Sequence, residues 1–272
     1  MKIIKSRFGK KKVVINSRGK RVTEKYSEVC EYEYGTFCLY DCYCDGELKA
    51  TYVFDKSSEK RIPIGYIEAH KKVNDKVFAL KISLLWHFYD MQGNLLREDV
   101  SYFEKCKIYP YIIAVIEGND YLLDEKLQII SEPFISISDF NEFGYSVVRK
   151  SSDERYSILS VNKGEFSLVP WEIECDGLTP LSKKHIAVKI KYRYGVIDMD
   201  GKFIIPVMYD EVQCKGDNHI QLKYKGRYGL ADITGKIIFE CFYDRIMETT
   251  DKFAVKDFSR LETSKVIEIT KN

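Results

Sequence analysis

Two histidines occupy matched positions in the sequence and could share a ligand. His185 and His219 are 34 residues apart, and each stands directly before an apolar run typical of a strand. Imidazole is a common zinc ligand, but a zinc site needs further ligands at short spacings, and the sequence offers none beside these two. The spacing therefore indicates a sequence repeat, and we predict no metal site here.

Three cysteines lie close together at Cys38, Cys42 and Cys44. Zinc sites combine such a cluster with a second half elsewhere in the chain, and this sequence has no second half. The even spacing places all three on one face of a strand, because side chains alternate along β-strands. We therefore predict free thiols that pack in a core.

A recurring Asp-x-x-Gly pattern could be mistaken for a calcium loop, but it lacks the alternating oxygen ligands and the closing Glu of an EF-hand. The sequence also contains neither a glycine-rich phosphate loop nor the Gly-x-Ser-x-Gly elbow of a hydrolase. We interpret the acidic pattern as hairpin turns. We predict a non-enzymatic protein with no catalytic residues and no cofactor.

The segment 30–46 departs most from the rest of the chain and is rich in tyrosine. Insertions in repeat proteins map to loops that often bind partners, and tyrosine is enriched in the cores of interfaces. The segment therefore predicts partner-binding residues at Tyr32, Tyr34, Tyr40 and Tyr43. The alternative is that these alternating tyrosines pack between strands.

The charge of the chain is nearly balanced, with 43 Lys and Arg against 41 Asp and Glu. Residues 2–21 are the exception, with cations and no acid, and such a segment can attract nucleic acid or anionic lipid. The simpler interpretation is a solvated strand face whose Val13-Val14-Ile15 side is buried. We therefore expect a protein partner rather than nucleic acid.

The eight cysteines are too sparse for a disulfide scaffold. No signal peptide follows the basic start, and no apolar stretch is long enough to span a membrane. These features predict a cytoplasmic protein with free thiols and without membrane insertion.

One pattern occurs twice near the C-terminal end. Tyr194-Gly195-Val196-Ile197-Asp198 with a later Tyr209-Asp210 is repeated, 34 residues on, as Tyr228-Gly229-Leu230-Ala231-Asp232 with Tyr243-Asp244. A fixed period of about 20 to 50 residues is typical of solenoids, propellers and other stacked arrays. The pattern therefore predicts a repeat architecture.

Acidic or amide residues mark the same turn further upstream. The steps between markers are 39, 35, 34, 37, 37 and 34 residues, for positions Asn16, Asp55, Asp90, Asp124, Val161, Asp198 and Asp232. Glycine stands three residues after five of the seven, as a turn with positive φ favours. The slot at Val161 is the weakest, with Asn162 one place late. Each Asp or Asn is expected to bind the backbone of its own turn.

Apolar and aromatic residues keep a fixed place around these markers. An apolar pair such as Val53-Phe54 or Val196-Ile197 precedes six of them. An aromatic follows every marker by about eleven residues: Tyr26, Tyr66, Tyr102, Phe134, Trp171, Tyr209 and Tyr243. A site that recurs in every repeat is expected to serve packing, so we predict that all seven lie in the core between repeats.

The stretches between landmarks alternate in polarity and show no sustained helical period. They predict an all-β fold of about seven four-stranded repeats of about 36 residues, in one domain spanning residues 1–272. A β-propeller-like ring would protect its strand edges by radial repetition. The alternative is an open curved β-solenoid, in which each repeat touches only its neighbours.

The segments 194–212 and 228–246, with Tyr-Gly-Val-Ile-Asp-x-x-Gly-Lys and a later Tyr-Asp, resemble the WG-repeat family of bacterial proteins. Both copies carry Tyr where the family favours Trp, and the upstream repeats lack the Tyr-Gly pair. The resemblance implies an all-β repeat protein with an interaction role and supplies no catalytic residues. The predicted function is protein–protein interaction, and the alternative is binding of carbohydrate or cell envelope.

Overall fold

The computed structural model describes residues 1–5, 10–153, 155–162, 164–216, 218–248, 252–256 and 269–270. All regular elements in this part of the chain are β-strands, which confirms the predicted all-β class. The same residues include no helix that could cross a membrane. The chain divides into two compact units, Met1–Cys106 with Pro110–Glu132, and Lys107–Tyr109 with Pro133–Asn272. The single domain over 1–272, and its ring or solenoid form, stay predictions.

Unit 1 contains three antiparallel sheets, made of β1–β2, β3–β5 and β6–β11. Their strands are β1 (Lys2–Lys5), β2 (Lys12–Ile15), β3 (Glu28–Tyr34), β4 (Phe37–Cys44), β5 (Glu47–Asp55), β6 (Ile67–Lys72), β7 (Val77–Ile82), β8 (Leu85–Asp90), β9 (Leu95–Lys105), β10 (Ile112–Ile116) and β11 (Asn119–Leu123). The six-stranded sheet differs from the predicted separate four-stranded repeats. The long strand β9 pairs with both β8 and β10, and so joins two repeats in one sheet.

Unit 2 contains four antiparallel sheets, made of β12–β16, β17–β20, β21–β24 and β25–β27. Their strands are β12 (Ser136–Ile137), β13 (Tyr145–Arg149), β14 (Arg155–Asn162), β15 (Glu165–Leu168), β16 (Ile173–Glu174), β17 (Gly177–Pro180), β18 (His185–Ile190), β19 (Arg193–Asp198), β20 (Phe203–Tyr209), β21 (Glu211–Lys215), β22 (His219–Tyr224), β23 (Arg227–Asp232), β24 (Ile237–Tyr243), β25 (Arg245–Glu248), β26 (Lys252–Lys256) and β27 (Ile269–Thr270). The sheets β17–β20 and β21–β24 have the predicted four strands each.

The apolar pairs before the turns explain how sheets stack within each unit. Val196 packs with Ile220 of the next sheet, whereas its neighbour Ile197 packs with Ile158 of the preceding one. In unit 1, Val53 and Phe54 likewise belong to two different cores. Adjacent residues of a strand point to opposite faces, so each pair supplies one side chain to each of two cores. The pairs Val53-Phe54 and Val196-Ile197 are therefore core residues of two packing layers each.

The turn markers bind their own turns as predicted. Asp198 Oδ1 accepts hydrogen bonds from the backbone N–H groups two and four residues later, at 3.0 and 2.9 Å. The same two bonds form at Asn16, Asp90, Asp124 and Asp232. Gly201 and Gly235 have φ of +80° and +89°, the left-handed region that glycine tolerates best.

The marker slot at Val161 does not hold this turn. There Asn162 of β14 pairs with Glu165 of β15. The turn forms earlier in the same sheet instead, where Asn141 Oδ1 accepts from the N–H groups of Phe143 and Tyr145, both at 3.0 Å. The spacing of the other markers predicted a turn near Val161. This repeat has its Asx turn between its first two strands instead, at Asn141.

The aromatic slot is core in some repeats and surface in others. Tyr26, Phe134 and Tyr209 are buried, and Trp171 and Tyr243 are half-buried. Tyr66 and Tyr102 are 65% and 56% exposed, so the prediction that all seven aromatics lie in the core is wrong for these two. A shift of one residue moves a side chain to the other face of a strand.

The Tyr-Gly pair of each C-terminal copy lies opposite a bulge in the next strand. Tyr194 pairs with Tyr209, and Val196, two positions further along β19, pairs with Ile205, four positions away along β20. A Cβ on Gly195 would lie 2.7 Å from the Ile205 carbonyl oxygen, and one on Gly229 would lie 2.7 Å from that of Phe239. Only glycine accommodates this approach without movement of the neighbouring strand.

Candidate functional site

The four tyrosines predicted to bind a partner lie on β3 and β4 and differ in exposure. Tyr40 is completely buried and Tyr34 is also buried, so both belong to the core of unit 1. Tyr43 is half-buried, and Tyr32 is 38% exposed. The predicted contact role is therefore wrong for Tyr34 and Tyr40, which pack between strands as in the alternative interpretation. For Tyr32 and Tyr43 it stays a prediction.

Beneath Tyr32 lies a hydrogen-bonded chain of polar side chains. His70 on β6 places Nε2 2.9 Å from Asp41 Oδ2 and Nδ1 2.9 Å from the Tyr34 hydroxyl. Asp41 is itself buried, and its Oδ1 accepts a 2.6 Å bond from Thr51. The ring of Tyr32 covers the imidazole edge-on, with centroids 4.5 Å apart. The chain joins the sheet β3–β5 to the sheet β6–β11.

This chain has the order of groups found in acid–base triads, with a carboxylate, an imidazole and a hydroxyl. Burial, followed by the charges of Tyr32 and Asp41, raises the pKa of Tyr34, so its hydroxyl remains protonated. The consistent arrangement has Tyr34 donating to Nδ1 and Nε2–H donating to Asp41. Because Tyr34 is buried and its ring stacks on Phe78 in the core, we assign the chain a structural role.

One group of side chains has the composition of a metal site. Ligand atoms of Glu31, Glu33 and Cys38 lie within 4.8 Å of one another. Glu31 accepts a 2.6 Å bond from the Tyr40 hydroxyl, and Glu33 pairs with Lys56 at 2.6 Å. Burial raises the pKa of Cys38, which disfavours the thiolate that a metal requires. The group is better explained as hydrogen-bonded and ion-paired side chains than as ligands.

The cysteines behave as the sequence predicted. Cys38, Cys42 and Cys44 face one core, together with Tyr40 and Phe54. All eight cysteines are free thiols. Burial, followed by the charge of Asp41, raises the pKa of Cys42 to about 12, so this thiol is protonated at neutral pH.

The matched histidines begin equivalent strands, opposite the turn residues Asp198 and Asp232. The Nδ1 of His185 lies 3.0 Å from the Ser182 hydroxyl, and burial lowers the pKa of this imidazole. His219 packs edge-on against Phe253, with centroids 4.8 Å apart. Each histidine is thus held by its own neighbours, as expected of equivalent positions in a repeat.

The basic start of the chain fits the simpler of its two interpretations. Val13 and Val14 of β2 are buried, whereas Lys10, Lys11 and Lys20 are exposed. Residues 6–9 of this segment, with Arg7, lie outside the described residues.

A second candidate surface, not anticipated from the sequence, lies on two hairpins of unit 2. The hairpins join β18 to β19 and β22 to β23, and both carry the pattern Lys-x-Lys-x-Arg-Tyr, at 189–194 and 223–228. We call these twelve residues the Lys-Tyr surface. The pattern recurs at the 34-residue period of the chain and is therefore a signal that the sequence carries, although it stands before the Tyr-Gly pairs that define the repeat motif.

Cations of the Lys-Tyr surface stand over its tyrosine rings. Lys223 Nζ is 5.3 Å from the ring centre of Tyr228, directly across the strand pair, and Lys189 is 5.9 Å from that of Tyr194. Arg149 and Tyr156 form the same pair in the preceding sheet, at 6.0 Å. Such cation–π contacts contribute about 0.5–1 kcal/mol at exposed sites. The repeated pair fixes the position of both the charge and the ring.

Ion pairs of the same hairpins explain the Tyr-Asp part of the motif. Arg227 Nη1 lies 2.6 Å from Asp244 Oδ1, and Arg193 pairs with Asp210 in the same way. In both copies the Arg directly precedes the Tyr-Gly pair, and the Asp directly follows the recurring aromatic. The second half of the motif is therefore bound to the first.

Comparison with known proteins supports the repeat assignment over a short segment. Residues 194–214 match the family model described as "WG containing repeat", which coincides with the first of the two best copies. A comparison with curated protein sequences finds no match.

Several solved structures are similar to the chain at low identity. Dihydro-heme d1 dehydrogenase NirN in complex with DHE is 11% identical with a TM-score of 0.33, over 90% of this chain and 61% of that one. The chain thus spans less than two thirds of the NirN length. Kluyveromyces lactis Hsv2 is 8% identical with a TM-score of 0.33, over 84% and 90% of the two chains. A eukaryotic initiation factor is 10% identical with a TM-score of 0.38, over 98% and 84%. We draw no function from these similarities.

Proposed function

We propose that this chain is a non-enzymatic WG-repeat protein that binds another macromolecule, and that this partner is a protein. The observation that carries the proposal is the contrast between frame and hairpin tips. Frame positions such as Val196 and Ile220 are completely buried, whereas tip residues such as Leu84 and Tyr192 are 71% and 83% exposed. An exposed tyrosine beside an arginine, as at Tyr192 and Arg193, is typical of the centres of protein interfaces.

The chemistry of the exposed residues also supports a protein partner. Tyrosine and arginine are enriched in the centres of protein interfaces, and the hairpin tips of unit 2 carry both. The polar chain Asp41–His70–Tyr34 supports the non-enzymatic part, because Tyr34 is a buried residue whose ring stacks in the core. The eight free cysteines are consistent with a reducing compartment, and we propose a cytoplasmic location.

The proposal is tested by affinity capture with the full chain from an extract of the organism that encodes it. The captured protein is then purified, and its Kd is measured by calorimetry for the parent and for Tyr192→Ser and Tyr32→Ser. We expect one of these two variants to weaken binding and Tyr102→Ser, on an exposed strand position of unit 1, to leave it unchanged. Retention of glycan, with no protein that binds the purified chain, would contradict the proposal.

A further inference from the structure

The Lys-Tyr surface is continuous across its two hairpins. Arg193 of the first hairpin lies over the ring of Tyr224 in the second, 5.9 Å from its centre. Lys225, at the second tip, lies 5.3 Å from the same ring. At the first tip, Tyr192 is 83% exposed and carries Lys189 at 5.8 Å. Cations and rings therefore alternate without interruption from one hairpin to the next.

The tips hold their charges in a fixed backbone. Lys191, Tyr192 and Lys225 have φ of +47°, +65° and +50°, and Gly226 has +79°. Positive φ at both central residues is the geometry of the type I′ hairpin, whose twist matches that of the paired strands. The two tip lysines are thus presented by tight turns rather than by long loops, which lowers the entropy lost on binding.

The charges of this surface are unequally neutralised. Arg193 and Arg227 are paired with Asp210 and Asp244, and Lys223 lies 3.6 Å from Glu211. Asp176 Oδ2 accepts a 2.7 Å bond from the backbone N–H of Lys191. Within the described residues, no ion pair involves the ammonium groups of the exposed tip residues Lys191 and Lys225. The surface therefore presents free positive charge at its outermost points and neutral, ion-paired arginines behind them.

We propose that the Lys-Tyr surface binds an acidic peptide segment of the partner protein, with carboxylates at Lys191 and Lys225. This inference rests on the proposed function and specifies its surface and the chemistry of the partner. Charge complementarity of this kind steers association and selects the partner.

The ring faces favour a peptide over single-stranded nucleic acid. Bases stack on free aromatic faces. Here four rings already carry a cation of the same chain: Tyr192, Tyr194, Tyr224 and Tyr228. Tyr194 and Tyr224 also pack against the core between the two sheets. Carboxylates need only the cations, which remain accessible.

The test uses the full chain and two fluorescein-labelled peptides. In the first, Glu alternates with Gly and Leu, and in the second Gln replaces every Glu. Binding is measured by fluorescence anisotropy. We expect the Glu peptide to bind about ten-fold more tightly than the Gln peptide at about 0.1 M salt, and to weaken at about 1 M. The double variant K191E/K225E should lose about ten-fold in affinity for the Glu peptide. The matched control K60E/K126E, on exposed turns of unit 1, should bind as the parent does.

A second variant separates charge from backbone strain. K191N/K225N removes the charges with a residue that tolerates positive φ, and should also lose most of the affinity. The proposal is overturned if both double variants bind as the parent does, or if labelled oligothymidylate binds more tightly than the Glu peptide.

Failure here and failure of the proposed function give different results. If a captured protein partner binds K191E/K225E as tightly as the parent, the Lys-Tyr surface is not its site, and the interaction function stands. If no protein partner is captured but the Glu peptide binds through the two lysines, the surface is correct and the choice of a protein partner is wrong.

Discussion

The C-terminal repeats of unit 2 and the sheet β6–β11 of unit 1 pair equivalent strands through bulges of different length. In unit 2, two positions along β19, from Tyr194 to Val196, pair with four positions along β20, from Tyr209 to Ile205. In unit 1 the equivalent advance, from Trp86 to Phe88, faces a shorter stretch, from Val100 to Arg97. The bulge in unit 2 is one residue longer, and glycine lies under it.

This difference explains why the repeat of β8 and β9 needs no glycine at the place of Gly195. With the shorter bulge, His87 stands between Trp86 and Phe88 where unit 2 has glycine, and the strands still pair. Val100, which pairs with Trp86, is therefore the buried residue, and the side chain of Tyr102 is exposed. Loss of the motif in unit 1 therefore follows the backbone of the bulge, while the sheet is retained.

The largest expected effect concerns the recurring aromatic. Tyr209→Ala should lower the free energy of unfolding by about 3–5 kcal/mol, because a large buried ring is removed from the core between two sheets. Tyr102→Ala in unit 1 should cost about 0.5 kcal/mol or less, since that ring is in water. Chemical denaturation of both variants measures the contrast, and equal losses would show that the two slots are equivalent after all.

The next effect concerns the turn glycines. Gly235→Ala should cost about 3 kcal/mol, because a left-handed φ disfavours Ala and the added Cβ would lie 2.1 Å from the Ile204 carbonyl oxygen. Gly19→Ala in unit 1 should cost about 1 kcal/mol, since its φ is also positive but no atom lies within 4 Å of the added Cβ. Denaturation midpoints compare the two, and a larger loss at Gly19 would refute the steric part of the explanation.

A smaller effect isolates the bulge itself. Gly229→Ala should cost about 1–3 kcal/mol, because its Cβ would meet the Phe239 carbonyl at 2.7 Å and the Cys241 sulfur at 2.8 Å. His87→Ala, at the corresponding place in unit 1, should cost less than about 1 kcal/mol, since a Cβ is already accommodated there. If Gly229→Ala is as stable as the parent, the bulge does not require glycine.

The smallest effect is a pH dependence of the turns. Hydrogen bonds from Ser57 and Ser58 lower the pKa of Asp55 to about 2. The pKa of Asp232 is also lowered: burial raises it, but bonds from Thr234 and Lys236 outweigh burial. A lowered pKa means that the stabilisation is complete above the unfolded value of about 3.9 and is lost as pH falls toward the folded value.

Asp55→Asn and Asp232→Asn test this dependence, because Asn16 and Asn141 already hold the same turn with an amide oxygen. Both variants should flatten the loss of stability between about pH 4 and pH 2, because the group that is protonated there has been removed. Unchanged acid profiles in both would show that these carboxylates do not contribute.

Local patterns in the sequence predicted the all-β class, the Asx turns and the apolar pairs, because each depends on residues within one turn or strand. The exposure of Tyr66 and Tyr102 could not be predicted, since a bulge of one residue reverses the face of a side chain. The chain of Asp41 and His70 could not be predicted either. These two residues are far apart in sequence and meet only where one sheet packs on the next.

The Lys-Tyr surface was within reach of the sequence, because its pattern recurs at the same 34-residue period as the motif itself. The surface was not predicted because the repeat motif begins at the Tyr-Gly pair, and the cations stand before it. The sequence could not predict that rings and cations alternate across the two hairpins. This alternation depends on the contact between Tyr224 and Arg193 of the other hairpin.

The ion-paired aspartates have a consequence for how such a chain can change in length. Asp210 is the only residue between β20 and β21, and Asp244 the only one between β24 and β25. An insertion at either point would move the carboxylate away from its arginine and turn the following strand over. These two connections therefore accept no added residue without loss of the Arg–Asp pair, so changes in the length of these repeats must fall at other connections.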